Sequence, residues 1–232
     1  MIMKIFSLEN DIIFSEECIN VLQIQDKKLF ANVINSLNDN INGIQNTKER
    51  IIILDNDTEI KMEKEALMVI DLFNIDFNQK KIQSALYNKI EKIYKQEFER
   101  MSEFQTLFQK LQLNVLDVFN EFPFEFNYKD SIGIQEYLKL LGLKISNNKG
   151  EIIDKIFSLI DAVEYLSVAK LLIFVNLKLY LSDDELNEIY KYAMYKKVNI
   201  LLIETGEEKE PIKNKKILFV DSDYDEIILY NK

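Results

Sequence analysis

Residues 170–204, KLLIFVNLKLYLSDDELNEIYKYAMYKKVNILLIE, constrain this chain more than any other stretch. Two apolar, β-branched runs, 171–175 and 198–203, flank one helix-forming segment. Ser182 with Glu185 three places on makes a capping box, and Asp183 and Asp184 set negative charge on the positive end of the helix. Strand, crossover helix and strand at this spacing predict a parallel βαβ unit buried on both faces. The turn after the first strand, Asn-Leu-Lys-Leu-Tyr-Leu, has no glycine to let a backbone close on a phosphate. An α/β core without a nucleotide loop points to binding or structure before catalysis.

The same caution about catalysis comes from composition. Histidine is absent from all 232 residues, which removes the usual general base near neutral pH, the Ser-His and Cys-His pairs, and imidazole metal sites. Five glycines (Gly43, Gly133, Gly142, Gly150, Gly206) are too scattered for a phosphate-binding spacing. The net charge is −10, from 29 basic and 39 acidic residues, which argues against a general nucleic-acid coat unless lysines and carboxylates are segregated. Hydrophobic residues make up 47% of the chain, enough for a real core, yet no run approaches the length of a membrane span. The opening MIMKIFSLENDIIF meets Glu9 and Asp11 too early for a signal peptide, and the single cysteine, Cys18, lacks an internal partner. A cytoplasmic protein with no membrane partner is the expectation.

Along the chain, short strands are expected at 2–6, 12–14 and 21–24, then a helix over 27–37 with Phe30, Val33, Ile34 and Leu37 on one face. A buried strand follows at 50–54, closed by the turn-forming Asp55-Asn56-Asp57, and residues 65–73 read as a further helical turn. From residue 78, Ile82, Leu86, Ile90, Ile93, Glu97/Phe98, Met101, Phe104, Phe108, Leu111, Val115 and Phe119 recur at three and four. No glycine or proline interrupts them before Pro123, so they predict one long amphipathic helix or two nearly continuous ones. The spacing of Phe98, Phe104, Phe108 and Phe119 favours core packing over a base-stacking platform. A short helix over 134–141 ends at Gly142, another covers 152–166, and two strands (216–220 and 226–230) close the chain after a charged loop at 207–216. The fold class is α/β: a discontinuous head (1–75 and 169–232) carrying an inserted helical leg (76–168).

The order of these elements and several local strings resemble the Csn-two family, a ring-forming accessory protein of type II-A CRISPR adaptation. The strings are 170–176 (KLLIFVN), 181–185, 198–204 (VNILLIE), 221–228, 67–77 (LMVIDLFNIDF) and 134–144 (IQEYLKLLGLK). The resemblance spans most of the chain. It implies a head like a nucleotide-hydrolase core that has lost its phosphate loop. It also implies a homotetramer that threads the ends of linear double-stranded DNA through a lysine-lined hole without hydrolysis. Calcium at acidic clusters near the head–leg junction is implied too, as is work beside the integrase pair and guide-RNA nuclease of the same locus in spacer acquisition.

Carried onto this sequence, the junction segment is 117–130 (DVFNEFPFEFNYKD). Here Phe122, Pro123, Phe124 and Phe126 stand where acids are frequent, leaving Glu121, Glu125 and Asp130 as metal ligands. The basic candidates for DNA phosphates are Lys48 and Arg50 before a strand, Lys61 and Lys64 after it, and Lys80 and Lys81 at the start of the leg. Lys61 and Lys64 match the family's entry lysines in basic character and not one for one. Two other readings stand beside this one. In the first, Asp55, Asp57 and Glu59 hold a cation in a metal-dependent nuclease or degenerate nucleotide hydrolase. In the second, the chain is a protein–protein scaffold without DNA affinity.

Overall fold

A computed structural model describes residues 1–44, 47–146, 150–206 and 215–230. They fall into two compact units: Met1–Asp76 with Asn147–Lys232, and Phe77–Ser146.

The first unit is built on a six-stranded sheet of order β10-β9-β3-β8-β7-β6. Its members are β3 (Ile19–Ile24), β6 (Ala66–Val69), β7 (Leu171–Val175), β8 (Asn199–Thr205), β9 (Lys215–Val220) and β10 (Glu226–Tyr230). The pairs β6–β7, β7–β8, β8–β3 and β3–β9 are parallel, and only β10 runs antiparallel, as the hairpin partner of β9. β3 and β7 are buried at every position, as expected of parallel strands covered on both faces. A second, antiparallel sheet of order β2-β1-β4-β5 is formed by β1 (Ile2–Ile5), β2 (Ile12–Ile13), β4 (Ile51–Asp55) and β5 (Thr58–Ile60). Apolar residues of both sheets and of helix α1 (Lys27–Ile41) share one core, among them Met3, Ile53, Leu22, Val33, Leu37 and Leu201.

The predicted βαβ unit is present as β7, helix α7 (Asp183–Tyr195) and β8. Ser182 and Glu185 close the capping box, with the Glu185 N–H donating to Ser182 Oγ at 3.4 Å and the Ser182 N–H to the Glu185 carboxylate at 2.8 Å. The tail strands are found as β9 and β10; the charged loop expected before them lies, through residue 214, outside the described residues.

Two expectations are corrected. Residues 65–73 do not form a helical turn. A four-residue helix α2 (Met62–Glu65) leads into β6, whose Ala66, Leu67 and Val69 are buried beside β7. Short apolar runs fit helix and strand alike, and here the edge of the parallel sheet decided. The leg also ends earlier than residue 168: helix α6 (Ile152–Leu166) belongs to the first unit. It buries Ile156, Leu159, Ile160 and Val163, and its Asp161 accepts from the Tyr192 hydroxyl at 2.7 Å and pairs with Lys196 at 2.8 Å. Phe157 meets Tyr192 edge to face with ring centroids 4.8 Å apart. The amphipathic periodicity of α6 was legible, but its partner, α7, lies beyond the next strand.

The second unit holds α3 (Lys80–Gln96), α4 (Phe98–Phe119) and α5 (Ile134–Leu140), with a break at Glu97 dividing the long helical segment in two. Tyr87, Ile134 and Leu138 form its small core, with Leu86, Ile90, Tyr94, Met101, Phe104 and Leu143 packed against them. Gly142, at φ +63°, ends α5 with the Leu143 N–H reaching the Leu138 carbonyl, a left-handed stop that glycine adopts without strain.

Burial raises the Asp161 carboxyl, but hydrogen bonds from Lys196 and Tyr192 outweigh it and hold the group below its ordinary 3.8. A depressed carboxylate stabilises the fold fully above the unfolded value and loses that contribution as pH falls through the folded one. Asp161→Asn is expected to cost about 1 kcal/mol or less at pH 7 after allowance for solvent screening. The difference from wild type should shrink toward zero below the ordinary carboxylate range, read by urea unfolding from pH 7 to pH 3. A difference that grows on acidification would contradict this.

Candidate functional site

In open α/β sheets ligands bind beyond the carboxyl ends of the parallel strands, and phosphates sit at the N-terminus of the following helix. In this chain that place is occupied by the chain itself. Only Gln25 and Asp26 separate β3 from α1, too little for a glycine loop to wrap a phosphate. The Asp26 carboxylate caps α1, accepting the Leu29 N–H at 2.7 Å, so a side chain supplies the negative charge that a phosphate would bring. The Gln25 N–H donates to the Val220 carbonyl at 2.9 Å, and Gln25 Oε1 accepts the Ser222 N–H at 3.1 Å, tying the ends of β3 and β9.

The ends of β7 and β8 are stitched in the same way. Asn176 takes a left-handed conformation (φ +54°), and its N–H donates to the Ile203 carbonyl at 2.8 Å. Its Oδ1 accepts the Thr205 N–H at 3.2 Å, and the buried Glu204 carboxylate accepts the Lys178 N–H at 3.2 Å. Sequence reasoning recognised the glycine-free turn but missed Asp26 and Glu204. An Asp directly before an amphipathic helical run was the available signal for the first; nothing local marked the second.

Asp55, Asp57 and Glu59 do not converge on a cation. Asn56 and Asp57 both have positive φ (48° and 59°), the signature of a two-residue hairpin turn joining β4 to β5. The Lys170 ammonium sits 2.7 Å from the Asp55 carboxylate, and that hydrogen bond holds the Asp55 carboxyl below its usual range. Among the described residues no three His, Cys, Asp or Glu side chains form a group able to hold a metal. A hollow of about 530 Å³ nearby is lined by Lys170, Lys196 and Lys197, but each is ion-paired, to Asp55, to Asp161 and to Glu16.

The basic candidates divide between the units. Lys48 is exposed ahead of β4, and Arg50 stacks its guanidinium 4.4 Å from the Phe6 ring centroid. Lys61 stands at the start of α2 and Lys64 within it, both exposed; Lys61 borders a hollow of about 270 Å³ that Glu59 and Glu63 also line. Lys80 and Lys81 open α3 in the other unit. Two pairs of the six share an element: Lys61 stands at the N-cap of the short helix that holds Lys64, and Lys80 and Lys81 share the first turn of α3.

Glu121, Glu125 and Asp130 are all exposed on the segment that follows α4. Their oxygens suit calcium chemically, but they do not gather into a site. Gln105 and Gln112 donate to the carbonyls of Ile132 (3.1 Å) and Lys129 (2.6 Å), so this segment returns along α4. Phe119 and Phe126 stack with centroids 4.5 Å apart. The core reading of the leg aromatics holds for Phe104 and fails for Phe98, which is 84% exposed. Phe108 and Phe119 instead line an open apolar groove with Leu111, Val115, Leu116 and Tyr128. Not one of the 22 residues of α4 is buried, although Leu107, Leu111, Val115 and Val118 are among them.

Residues 43–224 match the family described as CRISPR-associated protein (Cas_Csn2), and the chain belongs to that CRISPR-associated family. It is 24% identical over 190 residues to a CRISPR-associated protein Csn2 of Streptococcus agalactiae, covering 79% of this chain and 80% of that one. Against a protein of the same description from Enterococcus faecalis it is 29% identical over 144 residues, 60% and 64% of the two chains. Among solved structures it is similar to cbiO1 of Clostridium perfringens, part of an ABC transporter complex, at TM-score 0.46 and 14% identity over 92% of this chain and 77% of that one. No described helix is long and apolar enough to cross a membrane.

Filling a nucleotide site at a hundredfold excess over its Kd would raise stability by about 2.7 kcal/mol, roughly 5–10 °C for a chain of this size. With Asp26 and Asn176 occupying that place, millimolar ATP and magnesium should leave the Tm unchanged in a thermal-shift assay. A rise of several degrees would show that the crevice is open after all.

Proposed function

We propose that this chain is a non-enzymatic, sequence-independent binder of linear double-stranded DNA ends. It acts as a homotetrameric ring in the cytoplasm and supports spacer acquisition beside the integrase pair and guide-RNA nuclease of its locus. Membership of the CRISPR-associated family supports the setting. The observation that carries the assembly is α4, on which Leu107, Leu111, Leu113, Val115 and Val118 are each at least half exposed among the described residues of the single chain. An apolar stripe left exposed over residues 107–118 is costly to hydrate, and a second copy laid against it removes that cost.

A ring repeats every lysine fourfold, so a few residues per subunit, Lys61 and Lys64 first among them, can neutralise many phosphates despite the net charge of −10. The excess carboxylates then face away from the bore. Phosphate contacts carry no base information, which fits capture of ends of any sequence. The filled crevice at the ends of β3 and β7 supports a role without nucleotide hydrolysis. Calcium belongs to the reading only as the ion that Glu121, Glu125 and Asp130 take when further ligands reach them, and no step depends on it.

Gel shift of linear and circular duplex, with and without calcium and at two salt concentrations, separates the readings. An end binder retains linear DNA intact and releases it at high salt; a nuclease cuts it, and a scaffold ignores it. Reversing Lys61 and Lys64 together to Glu should weaken linear-duplex affinity by roughly tenfold or more. It should also flatten the salt slope by about 0.9 for each phosphate left without its lysine. An unchanged slope would remove these lysines from the interface. Leu111→Glu with Val115→Glu should lower the assembled mass in sedimentation, and an unchanged mass would free α4 from its role.

A further inference from the structure

Among the described residues, no strand, helix or row of charges guards the outer edge of β10; the Glu9–Asn10 turn touches the strand through the Glu226 carboxylate at its first residue, which accepts the Asn10 N–H at 2.9 Å. Exposed edges are normally short, charged or covered, because their free N–H and C=O groups recruit foreign strands. β2 has two residues and β5 three, and β6 is almost wholly buried. β10, sequence EIILY, runs five residues with its only charge at the first, and Ile227, Ile228 and Tyr230 are 48%, 46% and 41% exposed.

The ladder fixes which backbone groups are free. The Asp221 N–H donates to the Asp225 carbonyl, and the Val220 carbonyl accepts from Gln25 on the opposite side of β9. Residues 225, 227 and 229 therefore bond inward to β9, and Glu226, Ile228 and Tyr230 point their N–H and C=O groups outward. That set is self-complementary. A two-fold axis through Ile228 sets Ile228 against its own copy and Glu226 against the partner copy's edge position at Tyr230. Every outward group then meets another, with about six N–H···O bonds. On the other face the same register opposes Ile227 to Leu229 of the second copy, a close non-hydrogen-bonded pair of apolar side chains.

Charge selects the direction. A parallel alignment would stack Asp225 and Glu226 on themselves. The antiparallel one moves each acidic end to the far corner, beside Tyr230 and the Lys216 that pairs with it on β9. We infer that β10 is a homotypic docking edge, joining the heads of two copies of this chain into one continuous sheet. The inference deepens the homotetramer of the proposed function and rests on that reading for its count of copies. A closed dihedral tetramer needs two different two-fold contacts, and α4 and β10 supply one each.

Sedimentation velocity of the full chain tests it. Ile228→Lys, which sets two ammonium groups face to face on the axis, should halve the assembled mass. The α4 substitutions should halve it separately, and the combination should give monomer. If Ile228→Lys keeps the wild-type mass while the α4 variant dissociates, the edge contact is wrong and the tetramer stands. If wild type is a dimer that Ile228→Lys splits and the α4 variant leaves intact, the edge stands and the tetramer falls. As a check that does not depend on disrupting the edge, Ile228→Cys treated with a short bismaleimide should cross-link copies through residue 228, the native Cys18 being buried. Failure to cross-link at micromolar protein would overturn the inference.

Discussion

The burial of β3, β7 and β8 on both faces is the constraint on which the rest of this protein depends. Strands made almost wholly of apolar side chains must be covered above and below. The chain meets that demand with crossover helices on the parallel sheet and with the small antiparallel sheet of β1, β2, β4 and β5. The head closes only when β6 and β7, separated in sequence by the whole leg, lie side by side in parallel register. In sequence, the helical unit Phe77–Ser146 and helix α6 both lie between these two strands.

The same sheet closes the place where folds of this class hold a ligand. In an open α/β fold the carboxyl ends of the strands form the natural ligand crevice. Here each such end is stitched to its neighbour: β3 to β9 through Gln25, β7 to β8 through Asn176, and α1 capped by Asp26. Hydrogen bonds that a nucleotide would otherwise receive are made within the chain. A head closed in this way gains rigidity at the ends of its strands. The exposed α4 face and the β10 edge are the surfaces on which the proposed assembly rests.

The site was less legible than the fold. The βαβ unit, the α5 stop at Gly142 and the Asn56-Asp57 turn follow from local rules of burial, capping and φ, so residue types alone expose them. Residues 65–73 did not follow, because a short apolar run is equally good helix or strand until a sheet edge claims it. Phe98 and Phe108 looked like core because periodicity reports which side of a helix is apolar. It does not report whether anything stands against that side. The lysines carried no local signature at all: one Lys on a surface resembles another until the elements bearing them are placed.

The sequence by itself determined the α/β class, the lack of a phosphate loop, the lack of an imidazole for catalysis, and the family, since these depend on residue type and near-neighbour spacing. Tertiary structure alone decided that α6 belongs to the head through Asp161 and Tyr192. It also decided that Glu204 is buried against the turn after β7, and that β10 ends a sheet with its hydrogen-bonding groups facing out. Each of these turns on contacts between residues far apart in the chain, and free backbone groups at an edge are defined only once every other strand has taken its place.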